Sequence, residues 1–476
     1  MRRLAPFLLI ALAAGCGGSS AIARNLPLDK QLDLAIERYY AKDAAEAAPV
    51  LLSAYQELAD GDLKKDTAEY YLAGALADLG YVQAAVELYF DIVASRRAPD
   101  LVAQSLDTIA ELARRGVVDE RRLIDDVLFG NQYGDLPTDT ADFVRFYQAL
   151  GELRRGFGDW GARWLEELGQ SRRFFGYRAR YALAVHQLSQ GNGPGAEVVL
   201  RALLEDKNTP SAVRNDVRLA LAREHYGKKE YKEAFALYAA IDTPLTARDV
   251  VLLEKAWTEL LSHDEQAALG LLVGLGAPVY KRLFAPERAL IRAMAFVNLC
   301  QYRAAHLDVL DFRRRYGDSL RRIKERERLD DDPVLARTVL RRDDLVPSRR
   351  YRDRLRDEKK RLDDEMKGQA LREYVSGIYE AKLTRAEAEV ARQLEGALGR
   401  QAEELLRIDE QMNILDYELG LGLFRTVAEA RGVSDVEAEA ANLIRVPGKA
   451  AFKFEGEYWS DELSDFVIVV EDRCVR

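Results

Sequence analysis

Four histidines, His186, His225, His263 and His306, are the first residues in this 476-residue chain to test for metal ligation or proton transfer. None has another histidine at metal-ligand spacing, and His186, His225 and His306 fall inside segments of helical periodicity, so each reads as a packing or surface residue. The run Ser189 to Gly195, SQGNGPG, is rich in glycine. It lacks the lysine and the preceding strand with which a phosphate loop cradles an anion, so turn chemistry accounts for it. Neighbouring carboxylates such as Glu166 and Glu167 are what any helix surface carries. No nucleophile elbow and no metalloprotease helix occurs. The chain therefore offers no catalytic residue, no metal ligand and no cofactor site, and a non-enzyme is expected.

Cysteine chemistry is more informative. Arg2 and Arg3 precede an apolar run from Leu4 to Ala14 that is too short to span a bilayer, which is the pattern of an export signal. The run ends in Leu12 to Cys16, LAAGC, followed by GGSS. This resembles a bacterial lipobox, with Ala13 where leucine is usual, and the resemblance implies lipidation of Cys16 and a bilayer as partner. Gly17 after the cysteine is similar to lipoproteins sent to the periplasmic side of the outer membrane. Cleavage after Ala23, in Ala21-Ile22-Ala23, is the competing expectation and would release a soluble periplasmic or secreted protein. With Cys16 acylated, Cys300 and Cys474 remain. A disulfide between them fits an oxidising compartment, while packing of Cys300 as a small apolar side chain at a helix end is the preferred expectation.

Composition indicates which elements hold these residues. Hydrophobic residues make up 48% and charged residues 31%, with only 13 Pro, and the abundance of Ala, Leu, Glu and Arg favours helix throughout. An all-α fold follows. The net charge of −9 arises from 70 basic and 79 acidic residues, a mixed surface that argues against nucleic acid as a partner. A chain this long calls for several domains or an elongated array.

Self-similarity decides for the array. In Arg218 to Asp242, RLALAREHYGKKEYKEAFALYAAID, Leu221, Ala222 and His225 lie on one helix, and Tyr231, Ala234, Tyr238 and Ile241 follow on a second. Taking the second-helix alanine as marker gives Ala48, Ala85, Ala162, Ala196, Ala234, Ala268 and Ala305, at intervals of 37, 77, 34, 38, 34 and 37 residues. The interval of 77 hides a degenerate pair between Asp100 and Phe129, where Arg121 to Leu123 replace the alanine. Around Ala85 the matching slots are Leu72, Ala73, Gly80, Tyr81, Tyr89 and Ile92; around Ala305 they are Ala293, Phe296, Tyr302, Val309 and Phe312. The pattern resembles the tetratricopeptide repeat, in which close helix crossings need a small residue and bulky residues fill the space between pairs. The resemblance covers Leu28 to Gly317 as eight helix pairs and implies a superhelix whose groove, lined by first helices, binds a partner protein.

The C-terminal third differs. Residues 318–430 read as a charged helical arm, with Leu405, Ile408, Met412, Leu415 and Leu419 at steps of 3 and 4 forming the seam of a coiled coil or helical hairpin. That seam folds back on the last repeats, which is the simpler expectation, makes a homo-oligomer, or docks a partner helix. Residues 431–476 are expected to contain a β-hairpin through Phe452, Phe454 and Val467 to Val470, with Tyr458 and Trp459 sealing it to the arm or anchoring a partner.

The expected organisation is an export signal (1–16), a linker (17–27), a tetratricopeptide-like array (28–317), the arm (318–430) and the C-terminal segment (431–476). The expected function is a protein-protein interaction scaffold of the bacterial cell envelope, serving transport, motility or outer-membrane assembly with other envelope proteins. Self-assembly through the arm is the first alternative. A superhelical cell-wall-cleaving enzyme, with its catalytic part in Arg349 to Arg476, is the second.

Overall fold

The computed structural model describes residues 26–242, 248–280, 284–339, 345–366, 368–429, 458, 463, 466 and 468–474. Among these the fold is all-helical and contains no strand. Sixteen helices follow in first-and-second order. They are α1 (Leu28–Tyr40), α2 (Ala44–Glu57), α3 (Leu63–Asp78), α4 (Val82–Ser95), α5 (Pro99–Arg114), α6 (Glu120–Arg122), α7 (Thr138–Arg154) and α8 (Gly158–Gly169). Then come α9 (Phe174–Ser189), α10 (Gly193–Glu205), α11 (Ser211–Gly227), α12 (Tyr231–Ala239), α13 (Arg248–Leu261), α14 (Glu265–Gly274), α15 (Pro286–Asn298) and α16 (Tyr302–Lys324). The short α17 (Leu335–Val339) leads to α18 (Val346–Glu365) and the long α19 (Gln369–Glu429). None of the described helices is both long and apolar enough to cross a membrane.

One local turn recurs between first and second helices. A residue in the left-handed region, Lys42, Gly80, Gly156, Gly191, Lys229, His263 or Cys300, immediately precedes the residue that caps the second helix. At six of these turns the capping residue's N–H donates to the carbonyl five residues back, as in Tyr81 to Leu76 (2.8 Å) and Gln301 to Phe296 (2.8 Å). This closure satisfies carbonyls that the end of the first helix leaves without partners, and it reverses the chain within three residues. Glycine meets the left-handed requirement at no steric cost, while the lysines, the histidine and the cysteine adopt it against their preference.

The same geometry sets the repeat register. Four residues after each cap, Ala47, Ala85, Leu123, Gly161, Ala196, Ala234, Ala268 and Ala305 donate the first helical bond back to the cap carbonyl, at 3.0 to 3.1 Å. The intervals between these positions are 38, 38, 38, 35, 38, 34 and 37 residues. Ala47 occupies the position expected for Ala48, although both are buried, and Gly161 occupies that of the half-buried Ala162. The remaining marker alanines, Ala85, Ala196, Ala234, Ala268 and Ala305, are fully buried. Leu123 fills the position of the degenerate unit, where α6 continues as a π-helix, Leu123–Leu128.

The chain forms two compact units. The first comprises residues 1–154 and 348–387, hence α1 to α7, α18 from Ser348 and α19 as far as Glu387. The second comprises residues 155–347 and 388–476, hence α8 to α17, the rest of α19 and the described tail residues. In the second unit the expected seam is buried. Leu405, Ile408, Met412, Leu415 and Leu419 join Ala305, Val309, Phe312, Tyr316 and Leu320 of α16 in one core, so this part of the arm folds back on the last repeat helices.

The expected β-hairpin is corrected where it can be seen. Phe452, Phe454 and Val467 lie outside the described residues, but Ile468 to Val470 form no strand. Their polar groups meet helices instead: Ile468 N–H donates to the Gln266 carbonyl (3.4 Å) and Gln266 Nε2 to the Val470 carbonyl (3.1 Å). Ile468 and Val470 pack with Leu463, Tyr458 and Phe466 on a core built by α13, α14 and α15. Alternation of apolar residues here serves contact with helices, which needs no second strand.

Candidate functional site

Two tyrosine pairs, Tyr39-Tyr40 at the end of α1 and Tyr70-Tyr71 within α3, recur 31 residues apart and meet in the first unit. Their rings join edge to face with Tyr89 of α4 in a continuous chain, with centroids 5.4 to 5.8 Å apart. Gly74 makes room for this, since a Cβ there would lie 2.6 Å from the Tyr39 hydroxyl. Tyr89 is buried, Tyr39, Tyr70 and Tyr71 are half-buried, and Tyr40 is 67% exposed. The surface therefore grades from core to solvent. The Tyr40 and Tyr71 hydroxyls lie 2.8 Å apart at its edge. Burial, with neighbouring tyrosines and Asp78 adding to it, raises the phenols of Tyr39, Tyr70, Tyr71 and Tyr89 above their ordinary value, so all remain neutral donors. Rigid aromatic area with polar tips is what protein-binding surfaces use.

Elsewhere in the first unit, buried charges fasten α18 and α19 to α4 and α6. Glu87 receives Arg122 at both oxygens, Lys382 Nζ at 2.6 Å and the Tyr351 hydroxyl at 2.8 Å. Burial pushes the Glu87 carboxyl up, but Arg122 and Lys382 outweigh it and hold the group below its ordinary value. Glu358 of α18 accepts the Gln83 N–H and the Tyr379 hydroxyl, each at 2.8 Å, and burial raises it. Beside this network, Glu69 of α3 is 4% exposed. Burial, then the charges of Asp91 and Asp66, push its carboxyl up to about 8 against the opposing pull of Arg97 and Lys65. Arg97 itself is engaged by Asp66 (Nη2 to Oδ1 2.5 Å). Glu87 and Glu358 are interior and engaged by partners on other helices, an arrangement that positions helices rather than one that presents a reacting atom.

The histidines stay apart. His225 is buried, with Nδ1 2.5 Å from Glu230 Oε2 and Nε2 3.0 Å from Arg201 Nη2. A guanidinium only donates, so Nε2 accepts and Nδ1 carries the hydrogen. His306 faces Asp416 at 3.2 Å, His263 is an exposed turn residue, and His186 is half-buried on α9. No grouping of three or more potential metal ligands occurs among the described residues.

Cys300 is the left-handed turn residue before α16 and is joined to Cys474, with Cα atoms 5.1 Å apart. The tail beside it is further held by Arg473 N–H to the Leu299 carbonyl (3.0 Å) and Gln301 Nε2 to the Glu471 carbonyl (2.7 Å). Tyr458 packs edge to face on Phe466 at 6.4 Å, against the core of the second unit. Cys16 and Trp459 lie outside the described residues. The tyrosine surface was missed at the sequence level, where Tyr89 appeared only as a packing slot. The repeated Tyr-Tyr pair was the available signal. Compared with known proteins, the chain matches no family model and no curated protein.

Proposed function

We propose that this chain is a non-enzymatic interaction scaffold of the tetratricopeptide type in the bacterial cell envelope, held to the outer membrane by a lipid on Cys16. The observation that carries the binding role is the tyrosine surface of α1 and α3, which leaves Tyr40 mostly exposed on first helices, the ones that line the groove of such arrays. A partner protein covers these rings and takes hydrogen bonds from their hydroxyls. The substitution Tyr40→Ser removes the exposed ring and leaves Tyr39, Tyr70, Tyr71 and Tyr89 packed on one another. Affinity capture from solubilised envelopes, quantified by mass spectrometry, is expected to lose specific partners in this variant while its melting curve stays unchanged. Equal capture by both proteins refutes the assignment. The N-terminal peptide from the same sample reports acylation of Cys16.

A second reading, self-assembly through the arm, is favoured by one observation. Ile414, Tyr417 and Leu421 of α19 lie at i, i+3 and i+7 outside the buried seam and are 56%, 72% and 46% exposed. Sedimentation of a variant with Ile414→Ser and Tyr417→Ser distinguishes the two: loss of an oligomer with intact capture leaves both roles standing, and a monomeric wild type removes this one.

A further inference from the structure

The second unit contains a cleft of ≈ 390 Å³ lined by α15 and α16. Its accessible apolar side is formed by Phe296 and Leu307, with Phe312 and Tyr316 buried beneath, and Arg288, Arg292 and Arg315 supply its positive charges. Two of the arginines are accounted for. Arg292 Nε donates to Asp308 Oδ1 at 3.0 Å, and Arg315 has partners of its own, its guanidinium also standing 5.6 Å from the Tyr316 ring centre. Asp311, the second acid of the cleft, is bonded to Arg314. Arg288 is different: half-buried, its guanidinium makes no hydrogen bond and no ion pair among the described residues. Burial, then the nearby charges of Arg292 and Arg315, lower its hold on its proton. An unmatched guanidinium that has lost part of its water is costly unless an anion meets it.

We propose that this cleft binds a monoanionic carboxylate joined to an apolar group, the carboxylate on Arg288 and the apolar part against Phe296 and Leu307. One unmatched positive charge selects one negative charge. The acids Asp308 and Asp311 repel a dianion, which disfavours phosphate and polyanions, and the apolar side of the cleft rejects a fully hydrated ion. The planar guanidinium fork fits a carboxylate with two parallel bonds. The ligand is either a free organic acid or an acidic side chain of a polypeptide flanked by apolar residues. The site goes beyond the scaffold assignment and does not depend on it, since the tyrosine surface belongs to the other unit.

The test uses the full chain with phenylacetate as probe, followed by saturation-transfer NMR and by the shift in Tm. Phenylacetate is expected to bind with a Kd on the order of a millimolar, ordinary for so few atoms. Arg288→Met is expected to weaken binding at least tenfold and yet to melt no lower than the wild type without ligand, because the lost charge has no partner among the described residues. Arg288→Gln repeats the measurement if the methionine variant does not fold. Benzylamine and inorganic phosphate are expected not to compete. Competition by the capped peptide Phe-Glu-Phe assigns the side-chain source, and its failure beside phenylacetate binding assigns the free acid. Absence of phenylacetate binding, undiminished binding by the variant, or equal binding of phosphate overturns the proposal.

Discussion

The two units hold their parts of the C-terminal helices with different shares of buried charge, although α18 and α19 also bury Leu355, Leu362, Leu371 and Val375 in the first. In the first, α18 and the beginning of α19 meet α4 and α6 through Glu87, Arg122, Tyr351, Lys382 and Glu358, charged and phenolic groups removed from water. In the second, the later part of α19 meets α16 through the apolar seam from Leu405 to Leu419, with ion pairs such as Lys324 to Asp409 (2.8 Å) at its edge. Apolar contact is undirected and indifferent to pH. A buried charge network specifies geometry strictly, contributes little net stability when complete, and penalises the loss of any one member.

The largest effect is expected in the second unit. Leu405→Ala, at a fully buried position, is expected to cost about 4 kcal/mol. Urea unfolding should report that loss equally at pH 5 and pH 8. A loss confined to one pH would contradict the contrast between units. Next comes Arg122→Met, expected to cost about 3 kcal/mol because Glu87, whose side chain is 3% exposed, keeps only Lys382 as its cation. Hydrogen exchange on α4 is the measurement. Simultaneous Glu87→Met and Arg122→Met should restore much of the loss.

The pH dependence of the first unit sharpens the comparison further. Glu87 is held below its ordinary value, so its contribution is present above the unfolded value and disappears as pH falls through the folded one. Glu69 acts in the other direction. Its folded value is pushed up to about 8, so the folded state binds the extra proton, and stability declines as pH rises from about 4.5 to about 8. Glu69→Gln is expected to flatten this decline and to stabilise the first unit by about 2 kcal/mol at pH 8, with little effect at pH 5. Melting curves across that range decide it; an unchanged slope would show that Glu69 ionises normally. The smallest effect is expected at the turns. Lys229→Gly relieves a left-handed lysine and should add about 0.5 to 1 kcal/mol, whereas Lys229→Val should subtract at least as much.

Where sequence and structure coincide, the cause is local. The helix pairs, the capping residue and the small residue four positions later are set within one turn of chain, so their period could be counted directly. Even there a one-residue ambiguity, Ala47 against Ala48 and Gly161 against Ala162, needed the hydrogen bond to the cap to resolve it. The seam of α19 was legible as a seam because its spacing is helical. Its partner was not, since any apolar stripe of similar width on another helix would satisfy the same pattern.

The amino-acid sequence by itself determined that the described chain is helical and, to within one residue, where the marker positions of the second helices fall. These follow from hydrogen bonds and steric limits acting over a few residues. Only the tertiary structure decided that Glu87 meets Tyr351 across 264 positions, that Cys300 meets Cys474, that Ile468 lies on helices instead of a strand, and that two distant Tyr-Tyr pairs form one surface. The reason is that contacts between remote segments depend on the summed packing of every pair between them, and no local pattern in the sequence records that sum.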